Sequence, residues 1–297
     1  MSGAPPPARV PLLNAPLVAN DRSGAYHRLA FAAAAVAEQA RPGQFVALAV
    51  GGPDSATLLR RCFSIHRVEL DAGTVAIVVA AHGPGTRWLT ALVPGAEVGL
   101  AGPLGRPFPL PDAPTACVLV GGGYGSAPLF WLGEQLLRAG SRVELVLGAA
   151  SADRLYGADQ ARQIGAGVSI STDDGSAGTR GWVSDVLPEV IRRSGADVVY
   201  GCGPMAMLGA VSAIAAAEGA VAHVAVEESM ACGVGVCMTC VLAVVGDDGR
   251  TRMVRSCLEG PVFRGDRVRW DALHGGWGTV PRDTMGAPAP PEGRVAR

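Results

Sequence analysis

After Pro114 the chain repeats one arrangement: a short apolar run, a glycine-rich turn, then a segment with helical apolar spacing. ACVLVG (116–121) precedes PLFWLGEQLLRAG (128–140), and RVELVLGAA (142–150) follows. VSISTDD (168–174) leads to WVSDVLPEVIRR (182–193), and DVVYGCG (197–203) leads to MAMLGAVSAIAAAEG (205–219). Buried strands alternating with helices need crossover connections, so this pattern predicts an α/β doubly wound parallel sheet over 113–222. Such a sheet holds ligands beyond the carboxyl ends of its strands, where GGGYGSAP (121–128), STDDGSAGTRG (171–181) and YGCGPM (200–205) all fall. Glycine in those turns lets a phosphate approach backbone N–H groups at a helix N-terminus. GGGYGSAP is not the G-x-G-x-x-G pattern, because Ser126 stands where the last glycine would be. A strand-helix turn without a ligand would use glycine too. It is the convergence of three loops on one crevice that favours a dinucleotide.

The segment before Pro114 reads differently. FVALAV (45–50), CFSIHRVEL (62–70), TVAIVVAA (74–81) and AEVGLAG (96–102) are short β-like runs separated by Gly and Pro, and predict a small antiparallel β-barrel over 1–112, its first dozen or so residues a tail. LAFAAAAVAEQA (29–40) has the helix propensity of its alanines, but propensity is weak, and the PGQF turn and surrounding strands make a strand over 26–32 at least as good a reading, with tertiary context deciding. RCFS (61–64) places an arginine, an aromatic and a hydroxyl along one run, and Gly85-Thr86 stands where a helix would open onto a phosphate. Taken alone, such residues are ordinary surface.

The third segment, 223–280, is expected to be a small β-rich unit, with 281–297 a disordered tail rich in Pro, Ala and Gly. It carries ESMACGVGVCMTC (228–240), in which Cys232, Cys237 and Cys240 stand as C-x4-C-x2-C, with Cys257 after sixteen further residues. This is the plant-type [2Fe-2S] spacing, in which one loop supplies three thiolates and a nearby turn the fourth. Gly233 and Gly235 suit a backbone pressed against sulfide. Structural zinc is the sharpest competitor, although it usually pairs two short knuckles, and the fourth cysteine here has no C-x2-C or His beside it. Merely buried thiols are a third reading. Cys62 and Cys117 lie in apolar runs and read as small core residues.

Composition removes several functions. Net charge is -1 with no basic block, so neither nucleic acid nor an acidic membrane is indicated as a partner. All 25 basic residues are arginine, which excludes a Schiff-base or P-loop lysine. The N-terminus does not read as a signal peptide, no apolar run is long enough to span a membrane, and seven cysteines do not make a secreted disulfide framework. A reducing cytoplasm is the expectation. The five histidines are scattered, and no G-x-S-x-G or evident Ser/His/Asp set appears, so hydrolysis is unsupported. Electron or hydride transfer asks little of side chains, because cofactors carry that chemistry.

PGQF (42–45), R-x-F-S-I (61–65), G-T-x-x-L (85–89), GPLG (102–105), GGGYG-x-AP (121–128), TDDGS-x-G (172–178), CGP (202–204) and the cysteine loop (228–240), taken in that order over about 15–275, resemble the electron-transfer subunits of NAD-dependent dihydroorotate dehydrogenase, within the ferredoxin-reductase-like flavoproteins. The resemblance implies a barrel that holds FAD, with Arg61, Cys62, Phe63 and Ser64 as a first flavin stretch, Val78, Val79 and Ala80 as a second, and Gly85 and Thr86 on the pyrophosphate side. It implies NAD at Gly121, Gly122, Gly123 and Gly125 and near Cys202, Gly203 and Pro204, and a [2Fe-2S] cluster on the four cysteines. The implied partner is an FMN-bearing catalytic subunit of dihydroorotate dehydrogenase, in a heterotetramer of two copies of each, serving pyrimidine biosynthesis. Cys62 departs from the usual proline, and Val78 to Ala80 from the usual aromatic and arginine, so contacts there would be through backbone. NAD over NADP is also a family-level implication. Related reductases of a hydrogenase, a ferredoxin or a glutamate-synthase-like protein share these motifs, and a non-catalytic zinc-bearing binding module on the same scaffold is the remaining alternative.

Overall fold

The computed structural model describes residues 10–52, 55–164, 167–274 and 277–286. The barrel comprises β1 (Leu12–Ser23), β2 (Tyr26–Ala32), β3 (Phe45–Leu48), β4 (Arg61–Glu69), β5 (Thr74–Ala80) and β6 (Glu97–Leu104), closed in the order β1-β2-β5-β4-β3-β6. Short helices α1 (Ala34–Ala37) and α2 (Pro84–Thr90) cap its connections. The alanine-rich stretch divides as expected: Leu29 and Phe31 are fully buried in β2, and only four residues beyond it become helix. Burial on a pleated face outweighs propensity there.

β1 is the strand that sequence reading misses. Pro16 interrupts it, and a proline in an apolar run argues against an interior strand. The structure uses Pro16 at a switch, since Leu12 to Pro16 pair with β6 while Leu17 to Ser23 pair with β2 across a bulge. That exchange of partners closes the barrel.

The second unit contains β7 (Ala116–Gly122), α3 (Ala127–Arg138), β8 (Arg142–Ala149), α4 (Ala158–Gln163), β9 (Gly167–Thr172), β10 (Thr179–Arg180), α5 (Val183–Ser194), β11 (Val198–Cys202), α6 (Met205–Ala217) and β12 (Val221–Ala225). The sheet order is β10-β9-β8-β7-β11-β12, all parallel, continued by an antiparallel edge strand β15 (Val262–Arg264) from the third segment. β12 runs to Ala225, and the third segment adds one antiparallel strand to the edge of the parallel sheet expected over 113–222.

The third unit is built on the hairpin β13 (Val241–Val245) and β14 (Thr251–Arg255). Leu242 and Val268 share a core with Leu208 and Val224 of the second unit, while Cys240 and Cys257 pack on Phe45, Ala47 and Leu104 of the barrel. The expected disordered tail begins with ordered chain: Asp283 pairs with Arg269 at 2.7 Å and accepts from Thr251 Oγ1 at 3.0 Å. Residues 287–297, and the first nine of the N-terminal tail, lie outside the described residues.

Barrel and second unit are joined by buried polar contacts. Arg67 pairs with Glu134 of α3 at 2.8 Å, and Trp131 of α3 packs into the barrel core. His66, 2% exposed, donates from Nδ1 to the Ala127 carbonyl at 2.7 Å. Burial is the main cause that pushes its pKa from 6.5 down to about 4; the Ala127 bond opposes this, and Arg28 and Arg67 add to the lowering. The unfolded chain therefore binds a proton that the folded chain refuses. The stability is fully present above pH 6.5 and is lost as pH falls toward 4, about 3 kcal/mol over that window. A His66→Gln protein is expected to lose less unfolding free energy between pH 7 and pH 4.5 than wild type in urea titrations; equal losses would show that His66 is not the group responsible.

Candidate functional site

Two cavities and a thiol cluster adjoin one another where the three units meet. The first cavity, about 540 Å³, lies beyond the carboxyl ends of β7, β8, β9 and β11 and is lined by Gly122, Gly123, Gly148, Ser171, Asp173, Pro204 and Met207 among others. Parallel strands end there together, and the first turn of α6 faces the same space, giving backbone N–H groups and a positive helix end suited to a phosphate.

Gly122, Gly123 and Pro204, which the sequence proposes for NAD, line this cavity. Gly121 and Gly125 serve packing instead: a Cβ on Gly121 would lie 2.5 Å from that of Ser126, and one on Gly125 would lie 2.7 Å from the Cα of Gly203. Gly203 is therefore the surface on which the first glycine loop rests. Gly125 and Cys202 open toward the second cavity, not the first.

That second cavity, about 350 Å³, lies between β4, β5 and the 226–230 segment. Arg61, Cys62, Phe63, Ser64 and Val78 line it from the barrel, and Tyr124, Gly125 and Cys202 from the second unit. Val79 points the other way, into the barrel core, as strand alternation requires. Ala80 packs with Tyr26 and the second unit's core. Neither side chain reaches the cavity, and only their backbone is available to a ligand.

Gly85 and Thr86 sit in the first turn of α2, whose N–H groups lack intrahelical partners. A Cβ on Gly85 would meet Val50 at 2.9 Å and Arg61 Nε at 3.7 Å, so glycine keeps the guanidinium close to these amides. The Thr86 hydroxyl is already engaged, accepting from His82 N at 2.9 Å and Gly83 N at 3.0 Å. The donors available to an anion there are the amides and Arg61, with Thr86 holding the loop.

Several lining residues escape sequence reading. Glu227 lines both cavities, and burial raises its carboxyl above the usual range. Tyr26 arrives from the barrel, Tyr124 sits inside the glycine loop, and Trp182 stands exposed at the start of α5. Tyr124 and Asp173 were visible within quoted motifs; Tyr26 and Glu227 carried no local signal.

The four cysteines lie around Cys62 as pairs, not at one point. Cys232 Sγ accepts from the backbone N–H of Val234, Val236 and Cys237 at 3.4, 3.3 and 3.5 Å. Cys232 lies beside Cys237, and Cys240 beside Cys257. Gly233 and Gly235 have φ of +71° and +79°, which folds the loop so that its amides point inward. Cys237 is exposed, and hydrogen bonds from Thr239 first and then Cys232 hold its thiol down to about 6. Among the described residues no three His, Cys, Asp or Glu side chains converge on one point as a single ion requires. Two thiol pairs with amides aimed at sulfur fit a two-iron cluster better than tetrahedral zinc.

Known proteins resemble this chain in sequence and fold. Residues 227–269 match the family model described as the iron-sulfur cluster binding domain of dihydroorotate dehydrogenase B. The dihydroorotate dehydrogenase B (NAD(+)) electron transfer subunit of Desulforamulus reducens is 36% identical over 241 residues, 81% of this chain and 91% of that protein. The corresponding subunit of Shouchella clausii is 39% identical, over 77% and 86% of the two chains. A chain from the structure of an NADH-dependent reduced ferredoxin-NADP oxidoreductase superposes with a TM-score of 0.76 at 28% identity, covering 91% of this chain and 92% of its own. The flavohem-like FAD/NAD binding domain of Vibrio cholerae nitric oxide dioxygenase shares the fold, with a TM-score of 0.59 at 20% identity over 70% and 93% of the chains.

Proposed function

The chain belongs to the family of dihydroorotate dehydrogenase B (NAD(+)) electron transfer subunits, and from that membership we propose that it carries electrons between NAD and a separate FMN-bearing catalytic subunit that oxidises dihydroorotate. The observation that carries this reading is the adjacency of the two cavities and the thiol cluster, with Glu227 common to both cavities and Cys62 lining one beside the thiols.

When bound, NAD supplies hydride chemistry, FAD converts between two-electron and one-electron transfer, and the [2Fe-2S] cluster supplies one-electron transfer. Arg61 and the amides of Gly85 and Thr86 would hold the FAD diphosphate, with Ser64 and the backbone of Val78 to Ala80 available to the flavin. Gly122, Gly123 and the α6 N-terminus would hold the NAD phosphates. Asp173 and Arg154 both line that cavity, and the choice of NAD over NADP follows the relatives' name. Burial raises both the Cys202 thiol and the Glu227 carboxyl where the two cavities meet, which favours their neutral forms.

Around the exposed Cys237 lies an apolar patch: Val236 is 79% exposed, Met238 51%, Val234 47% and Leu258 40%. Met238 holds its place at φ +62°, a conformation that non-glycine residues rarely adopt. This patch is the docking face for the catalytic subunit, in a heterotetramer of two copies of each. A Val236→Asp protein is expected to associate at least ~10-fold more weakly with that subunit, with unchanged visible absorbance. Wild-type affinity in a binding titration would move the interface elsewhere.

No described helix is long and apolar enough to cross a membrane, and cytoplasmic location is part of the proposal. The decisive experiment mixes this protein with a dihydroorotate dehydrogenase catalytic subunit and follows NADH formation from dihydroorotate. A rate well above that of the separate components is expected, and no gain on mixing overturns the partner. The likeness to a ferredoxin-NADP oxidoreductase over 91% of the chain favours ferredoxin as a second reading, which the same assay with ferredoxin resolves.

A further inference from the structure

Phe45, Cys62 and Met230 each line the second cavity and also pack in one cluster with Cys240 and Cys257. They form the partition between the proposed flavin and the proposed iron-sulfur cluster. Of the three, only Cys62 carries a hydrogen-bond donor.

Its position is fixed from both sides. On β4, Cys62 pairs with Ala47 and Ser64 with Phe45, so the thiol leaves the strand on a face shared with the hydroxyl. Across from it, the left-handed turn at Gly233 brings the cysteine loop so close that a Cβ there would lie 3.1 Å from Cys62 Sγ. A side chain at 233 would crowd the thiol, and a side chain much longer than cysteine at 62 would press on the loop.

We propose that Cys62 is a positioning residue for the iron-sulfur centre: its S–H fills the partition between the flavin cavity and the 232–240 loop and offers a donor to the sulfurs there, setting how readily the centre accepts an electron. This rests on the iron-sulfur reading above. No bond forms or breaks at Cys62, which keeps its proton while an electron passes between the two groups. A donor facing cluster sulfur stabilises the reduced form, which carries the greater negative charge.

The test is an EPR-monitored redox titration of the full-length protein, with iron and sulfide content measured alongside. At the wild-type midpoint, Cys62→Ala is expected to lower the reduced-to-oxidised ratio by about three- to tenfold, the size of one hydrogen bond, and Cys62→Ser to restore it to wild type or above. If the alanine protein fails to fold, Cys62→Val fills the space without a donor and should show the same fall. Wild-type ratios and line shapes in the donorless and serine proteins alike would overturn the inference while leaving the function intact. A wild-type protein with no iron-sulfur signal would overturn the function itself.

Discussion

Cys237→Ser is expected to abolish the broad iron-sulfur absorbance while leaving flavin bound and the fold intact. Cys237 is exposed, so its replacement opens no cavity, in contrast to Cys240 and Cys257, which are buried against the barrel. Hydrogen bonds from Thr239 and then Cys232 lower its thiol toward the thiolate that binds metal, a form a serine hydroxyl does not reach. Cys232 would then be left without its pair. Residues that merely support metal ligands contribute about 10- to 100-fold to affinity, and a ligand itself contributes at least as much. Dihydroorotate-driven NADH formation with the catalytic subunit should therefore fall by at least ~100-fold. NADH oxidation with an artificial dye should persist, because that route uses only the two cavities. Surviving iron-sulfur absorbance would show that Cys237 is not a ligand.

The cysteine site was legible because its chemistry is local: four thiols, two glycines and their spacing all lie within one short stretch and a nearby turn. The parallel sheet was legible for a related reason, since each βαβ unit announces itself within its own residues. What depended on distant pairing was not. β15 is a three-residue strand whose place beside β12 is set by the fold of the intervening hairpin, so no periodicity could assign it. The cavity walls at Tyr26 and Glu227 are likewise brought together from opposite ends of the chain. Cys62 shows both limits, reading as a small core residue by composition and as a flavin neighbour by resemblance. Only Gly233 across from it reveals that the thiol also abuts the cysteine loop.

Gly125→Ala tests the contact on which the joint between the cavities depends. The added Cβ would lie 2.7 Å from Gly203 Cα, 2.8 Å from Cys202 O and 3.0 Å from Gly203 N. All three atoms are backbone, so no side chain can rotate away, and the loops at 121–126 and 202–204 must separate. Overpacking of this kind destabilises by about 1–3 kcal/mol, read as a lower urea midpoint. The functional effect should exceed the stability effect, because Gly122, Gly123 and Pro204 line the cavity proposed for NAD while Gly125 and Cys202 line the one proposed for flavin. Parting the loops lengthens the path for hydride, and a misplacement near 1 Å slows such a step by ~100-fold. Stopped-flow bleaching of the flavin by NADH should show that loss, with flavin and iron-sulfur content unchanged, since neither Arg61 nor the four cysteines touch the altered contact. Bleaching at the wild-type rate in a folded Gly125→Ala protein would mean that the spacing of the two bound groups is set elsewhere, by the barrel contacts at His66 and Arg67 that fix α3 against β4.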